Sequence, residues 1–511
     1  MPYHNDSQPI TKVIANRYVV KKTIFGGMGV IYLCEDTEQD NYPVVLKTIK
    51  PQYLSEKNIR AQFLQEAAMW VEIGWHPNIV QAYRAEYVSN SHEIYLVLEM
   101  LPSLSGKNNP SLRSMIIQGV GVDIEKTLKL MLDVTRGMKY ATAMIPGLIH
   151  CDLKPENIYV SPHGCARIGD FGLVTVPINI LENLIGAVIQ DKHPRVRFLG
   201  TPLYMSPEKW RNRRISISSD IYSLGCICLE MLTGGYTIRG RHFKTLAEQH
   251  IRGGAIKRLG EADLPDALKG FLSKCLQTDT LHRFQTWEHV EQEIIKLLDI
   301  LFHQKVDPEI ILMDVSNKTQ VSKGETILSI GEAYLDIFEI QTAIKCFERA
   351  RSIGQLQDYQ GLVALAEAKI GLAWCKQNHY EQAISHYKKA IAQNMECGNI
   401  ENAFINYANI GMAYFRLGDF ARAQDSISKV IEYTKQISFE KVLVFWNANF
   451  VNALSNFGNK SSVIEYFLFT LEVEQKYGCD KKSVKFLDVM DRFMGGIGDG
   501  HNRTLLSNNS D

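Results

Sequence analysis

The residues best suited to chemistry stand in order along the first half of the chain. Ile149-His150-Cys151-Asp152-Leu153-Lys154-Pro155-Glu156-Asn157 puts an acid, a base and an amide within six residues of a loop, Asp152 to Asn157. That spacing suits positioning rather than packing. Asp152 can accept a hydroxyl proton, Lys154 can neutralise charge on a phosphoryl group, and Asn157 can offer its carbonyl oxygen to a metal. Asp170-Phe171-Gly172 adds a carboxylate of the kind a hard divalent cation requires. Upstream, Gly26-Gly27-Met28-Gly29 lies between two strand-like runs. A glycine hairpin of this kind can lay backbone N–H groups over phosphates. Lys47 sits inside the apolar run VVLK, and a buried lysine needs a partner; Glu66, on the amphipathic stretch AQFLQEAAMWVEI, is the candidate carboxylate.

The elements that must hold these groups change character along the chain. Residues 1–16 are polar and expected to be disordered. From Arg17 to about residue 100, short β-rich runs (YVVKKTIF, VIYLCED, PVVLKTI, EIYLVLEM) alternate with one helical stretch. After residue 122 helices of period near 3.6 take over, so a small β-rich lobe followed by a helical lobe is expected over 17–302. The Ser, Gly, Asn and Pro of 102–121 read as an exposed insertion, and 303–323 as a linker.

Together these motifs resemble the eukaryotic-type (Hanks-type) Ser/Thr protein kinase family, in its bacterial-like form, over about 17–300. The resemblance implies an α+β bilobal kinase fold with a β-rich N-lobe and a helical C-lobe, and ATP and Mg2+ as cofactors. It makes Gly26, Gly27, Gly29 and Ile31 part of the nucleotide site, and Lys47 the lysine on the phosphates, with Glu66 its helix partner. Leu98 to Leu101, with Glu99 and Leu101 against adenine, become the hinge. Asp152 is the expected catalytic base with Lys154 beside it, and Asn157 and Asp170 are the expected metal ligands. Thr201 and Glu208, in GTPLYMSPE, match the end of the activation segment; Glu208 is expected to pair with Arg283. Asp220 is expected to tie down the catalytic loop.

Three positions depart from the family pattern. Ile24 replaces the first loop glycine, and Val45 replaces a small residue and should narrow the adenine pocket. Cys151 replaces the arginine of His-Arg-Asp. A neutral thiol there removes the charge that a phosphorylated activation segment relieves, and Thr175 is the only hydroxyl between Leu173 and Gly200. Activity is therefore expected not to depend on phosphorylation of that segment, whose apolar run VPINILENLIGAVIQ is read as a helix that restrains the site.

Beyond residue 323 the sequence repeats. Gly331, Gly371 and Gly411 are spaced by 40, each followed by Ala333, Ala373 or Ala413 and then by Tyr334, Trp374 or Tyr414. Ala343, Ala383 and Ala423 come next, then Phe347, Tyr387 and Ile427, then Ala350, Ala390 and Val430. A fourth, degraded copy carries Ala453, Val463 and Phe467. Small residues permit close helix approach and aromatics fill the gaps. The pattern resembles the tetratricopeptide repeat over 324–484, an all-α solenoid, although the period is 40 rather than the usual 34 or so. A longer second helix or turn is the expected reason. Residues 485–511 are expected to be a helix end and a disordered tail.

Composition narrows the functions. Lys+Arg and Asp+Glu both number 56, which gives no pull toward nucleic acid. The ten cysteines lack metal or disulfide spacing, and Cys226-x-Cys228 reads as a pair of core thiols. No apolar run spans a membrane, no signal-peptide core opens the chain, and a cytoplasmic protein is expected. His76-Pro77-Asn78 reads as a helix end, His150 as a packed core histidine, and Lys209, Arg211, Arg213 and Arg214 as a solvated face. The expected function is a Ser/Thr kinase whose repeats hold a protein or peptide substrate or regulator in their groove. The alternatives are a pseudokinase scaffold and an autoinhibitory clamp by the repeats. The complete set Lys47, Glu66, Asp152, Asn157 and Asp170 argues against the scaffold.

Overall fold

The structure, a computed structural model, describes residues 12–25, 29–54, 56–88, 93–101, 110–117, 119–171, 201–240, 242–306 and 317–434, together with 466 and 470. The chain divides into two units, Met1–Ile337 and Phe338–Asp511.

In the first unit, β1 (Val13–Ile14), β2 (Tyr18–Phe25), β3 (Gly29–Asp36), β4 (Tyr42–Ile49), β5 (Ala82–Val88) and β6 (Glu93–Glu99) form an antiparallel sheet in the order β1-β2-β3-β4-β6-β5. Period-2 alternation sends Val30, Tyr32, Cys34, Val44, Leu46, Tyr95 and Val97 into one buried cluster. Ile24, Ile31, Lys47 and Leu96 pair across the other face, as do Leu33, Val45 and Leu98 one step along. Helix α1 (Lys57–Ile73) packs beneath the sheet against β4 and β5.

The helical lobe is built on α4 (Ile217–Thr233), whose residues from Ser218 to Met231 are all buried. Every side of this helix faces protein, and Ser219, Asp220 and Glu230, polar groups that it buries, are each paired. Cys226 and Cys228 are core thiols here, as expected; burial pushes Cys228 up to about 12. Around it stand α2 (Ile124–Met144), the single turn α3 (Pro207–Trp210), α5 (Phe243–Ile251), α6 (Gly254–Gly260), α7 (Asp266–Cys275) and α8 (Trp287–Phe302). The hairpin β7 (Ile158–Val160) and β8 (Ala166–Ile168) follows the catalytic loop.

Two readings of this unit need correction. The span 102–121 is not wholly an exposed insertion: Leu112 is buried, Ser111 bridges Tyr159, and the Val160 amide donates to the Pro110 carbonyl at 2.9 Å. Within the span read as a linker, helix α9 (Asn317–Asp336) already begins, and it packs on α1 and β5 of the first unit. Its opening, NKTQVSKGET, mixes polar and β-branched residues with Gly324, so helical periodicity is hard to see there.

The second unit contains α10 (Ile340–Leu356), α11 (Gln360–Lys376), α12 (Tyr380–Glu396), α13 (Ile400–Arg416) and α14 (Phe420–Thr434). The small and aromatic repeat positions are its core: Ala343, Ala350, Ala383, Ala390, Ala423, Phe347 and Tyr387 have no exposed surface. A Cβ on Gly371 would lie 2.8 Å from the Tyr387 ring, so glycine is what allows α11 and α12 to meet. The 40-residue period is not lengthened in the second helix or turn alone. Helices start every 20 residues, at 340, 360, 380, 400 and 420. Each inter-helix turn carries one left-handed residue: Asp358, Asn378, Gly398 and Gly418. Backbone bonds from Tyr359 to Gly354, His379 to Trp374, Asn399 to Asn394 and Asp419 to Tyr414 close the preceding helices, as a left-handed cap requires. The fourth copy and residues 485–511 lie outside the described residues, apart from Tyr466 and Thr470.

Candidate active site

Lys47 enters from the middle of β4 and Glu66 from the middle of α1, and the two meet at 2.5 Å. Asp170 contacts the same ammonium group at 2.6 Å. Burial works against the Lys47 charge, but the two carboxylates outweigh it and hold the ammonium above its usual range. Burial raises Glu66, whereas Lys47 overcomes burial at Asp170 and lowers it. The two acids are not equivalent. The Glu66 side chain is 8% exposed and the Asp170 side chain 41%, so Asp170 is the one open to a ligand.

The catalytic loop is fixed from below. Asp220, buried on α4, accepts the His150 amide at 2.6 Å and the Cys151 amide at 2.9 Å. Burial pushes the Asp220 carboxyl up to about 7, and those amides pull against it. This tether holds Cys151 in the left-handed region, at φ 66°. His150 is a core histidine, as read: it packs on Phe171 and reaches the Gly169 carbonyl at 3.3 Å, and burial keeps its pKa low. The Gly169 amide donates to the Asn157 carbonyl at 2.9 Å, which joins the catalytic loop to the strand end that carries Asp170.

Asp152 is held at both carboxylate oxygens. Lys154 donates to Oδ2 at 2.6 Å and Asn157 Nδ2 reaches it at 3.3 Å. The Thr201 amide and hydroxyl both donate to Oδ1, at 2.8 and 3.0 Å. Asn157 Nδ2 also donates to the Asp152 carbonyl at 3.0 Å, which leaves its Oδ1 as the atom able to ligate a cation. Farther off, Arg283 clasps Glu208 with two bonds of 2.9 and 2.8 Å, and Ser219 adds a third at 2.5 Å. At the hinge, Glu99 turns its side chain to Arg167 at 2.5 Å while its amide donates to Gln81. Leu101 ends the described hinge. Gly29 and Ile31 open β3, and Ile31 lies opposite Lys47 on the same face of the sheet. Gly26 and Gly27, Thr175 and the run VPINILENLIGAVIQ fall outside the described residues.

The profile of the protein kinase domain matches residues 18–296, more than half of the chain. The chain belongs to the protein kinase family. A tetratricopeptide repeat profile matches residues 406–437, which span α13 and α14. Among similar curated proteins, the kinase shares 26% identity over 293 residues with the serine/threonine-protein kinase PrkC of Bacillus subtilis, 57% of this chain and 42% of PrkC. It shares 26% over 289 residues with the serine/threonine-protein kinase PknB of Mycolicibacterium smegmatis, 56% and 43% of the two chains. With the probable serine/threonine-protein kinase PknB of Lactococcus lactis the figures are 25% over 287 residues, 56% and 42%. The chain thus spans about two fifths of the length of these relatives. The bilobal kinase fold with a helical-repeat region, expected from the motifs, is the one observed.

Some residues of the kinase site were not singled out by sequence. Arg113 joins Glu156 of the catalytic loop at 2.7 Å, Glu230 of α4 at 2.6 Å, and the Tyr204 hydroxyl just past Thr201. Its signal was weak: one arginine between Leu112 and Met115 in a Pro- and Ser-rich span. Lys209 is not part of a solvated face. It is buried and donates to the Cys151 carbonyl at 2.9 Å. The turn at His76-Pro77-Asn78 follows α1, as read, and Asn78 also ties it to β8 through the Ala166 carbonyl. Among the described residues no helix is long and apolar enough to cross a membrane.

Proposed function

We propose that this kinase transfers the γ-phosphate of ATP to serine or threonine hydroxyls of proteins, and that its repeat unit recruits a protein or peptide partner. The observation that carries the reading is the Lys47–Glu66–Asp170 cluster, linked through Gly169 and Asn157 to Asp152. Adenine would lie under Leu33, Val45 and Leu98, with the phosphates toward Lys47. Asp152 accepts the proton of the acceptor hydroxyl as that oxygen attacks phosphorus. Thr201 and Asn157 orient the carboxylate, and Lys154 balances charge beside it. Little covalent chemistry is asked of the protein, so positioning and fixed charge supply the rate.

The donor set also fits a magnesium ion. Two oxygen ligands from Asp170 and Asn157 suit a cation that takes the rest of its shell from phosphate and water. When bound, such an ion would neutralise charge on the phosphates.

The test is transfer from labelled ATP with magnesium, to the chain itself and to a generic basic protein, with Asp152→Asn as control. Transfer that disappears in the variant supports the reading. A wild-type chain that binds ATP and transfers nothing overturns it in favour of a binding-only scaffold.

A further inference from the structure

Helix α9 carries the first half of the first repeat copy in sequence, at Gly331, Ala333 and Tyr334, yet it belongs to the kinase unit. It lies along α1 and β5. Lys323 Nζ donates to the Glu72 carbonyl at 3.1 Å, at the C-terminal end of α1. Asp336 accepts from Arg60 at 2.7 Å, near the N-terminal end. The two helices therefore run antiparallel. Arg60 and Glu72 are separated by about 18 Å of helix, and Lys323 and Asp336 by about 20 Å, at 1.5 Å per residue. The ties match in length, and Glu66 falls midway between them, six residues from each.

A second set of ties reaches the sheet. β5 is an edge strand, and edge strands carry unpaired backbone groups. The Ala85 amide donates to the Thr326 hydroxyl at 3.3 Å, so α9 covers that edge. The Tyr87 hydroxyl bonds Asp336 as well. One helix thus grips α1 at both ends and the strand beside it. The N-cap residue of α1, Glu56, makes no side-chain capping bond to the first turn.

We propose that α9 is a positioning element of the phosphoryl-transfer site: by bracketing α1 it keeps Glu66 on Lys47. This rests on the reading of that site as a kinase centre. The Lys–Glu pair must be in place for transfer, and a small misplacement of such a group is costly in rate. The helix of first-repeat sequence is thereby part of the catalytic lobe, and Arg60 and Asp336 act on the reaction through α1.

The experiment uses three full-length chains: wild type, Asp336→Arg, and the exchange Arg60→Asp with Asp336→Arg. Each is measured for kcat and KM for ATP on a generic acceptor, and for amide hydrogen exchange along α1 and along the remote α8. Asp336→Arg should lower kcat/KM about tenfold, raise exchange in 57–73, and leave α8 unchanged. The charge exchange should restore both readouts. Unaltered kcat/KM and α1 exchange, or a rise spread equally over α8, overturns the proposal. Should Asp336→Arg fail to fold, Lys323→Met removes the other tie and should give the same local pattern, about threefold in kcat/KM. A wild-type chain without activity would sink the kinase reading, and the exchange comparison would then decide the role of α9 by itself.

Discussion

In the first unit Asp152 is fixed by four hydrogen bonds from Lys154, Asn157 and Thr201, residues with no counterpart elsewhere in the chain. In the second, Ala343, Ala383 and Ala423 fill one structural place three times, 40 residues apart. The kinase unit concentrates its purpose in single polar groups held by partners distant in sequence. The repeat unit spreads stability over equivalent apolar contacts between neighbours. Damage should follow the same division. In the first unit, loss of function without loss of fold is expected at Asp152, and a large loss of stability only where a buried pair such as Glu208–Arg283 is broken. In the second, loss of stability should be graded.

The largest break expected is Asp152→Asn, which should cost about 10³-fold in kcat while thermal unfolding hardly moves. A conspicuous drop in melting temperature would blur the division. Next comes Glu208→Gln. It leaves Arg283 buried without its counter-charge, and removing one partner of such a pair costs about 3–5 kcal/mol. Burial opposes ionisation of Glu208, but Arg283 outweighs it and holds the carboxyl below its ordinary range. The linked stability is therefore complete above the ordinary value of 4.5 and is lost as pH falls below it. Acid unfolding curves of wild type and Glu208→Gln should converge at low pH, and parallel curves would rule the linkage out.

In the repeats, Gly371→Ala forces a Cβ against the Tyr387 ring and should cost about 2 kcal/mol in denaturant unfolding. Gly398→Ala meets nothing within 4 Å, so only the left-handed backbone resists it. About 1 kcal/mol is expected there; equal losses at both glycines would show that packing is not what separates them. The smallest effect is none. Phosphatase treatment should leave activity unchanged, because Cys151 carries no charge that a phosphate must balance; lost activity would refute that.

How far each unit could be read in advance follows from the same contrast. Asp152, Asn157 and Asp170 could be singled out because the chemistry proposed for them demands particular residue types at fixed spacing on one stretch of chain. Ala383 and Tyr387 were legible because repetition exposes them. Arg113 was not, since its partners Glu156, Tyr204 and Glu230 lie 43, 91 and 117 residues away. Nor was the docking of α9, because Lys323 and Asp336 show their meaning only beside Glu72 and Arg60. The division of each repeat into equal halves stayed hidden for a different reason. A left-handed turn accepts Asp358, Asn378 or Gly398 alike, so that position carries no fixed letter.

The repeat unit therefore keeps two clocks. Its backbone returns to the same state every 20 residues, one helix and one turn, whereas its core returns only every 40. Removing a single helix would leave every turn well formed while setting surfaces shaped like that of Gly371 against neighbours shaped like themselves, with no Tyr387 to receive. Removing two would leave both rhythms in phase. The solenoid has a reading frame, and its unit of gain or loss is the pair.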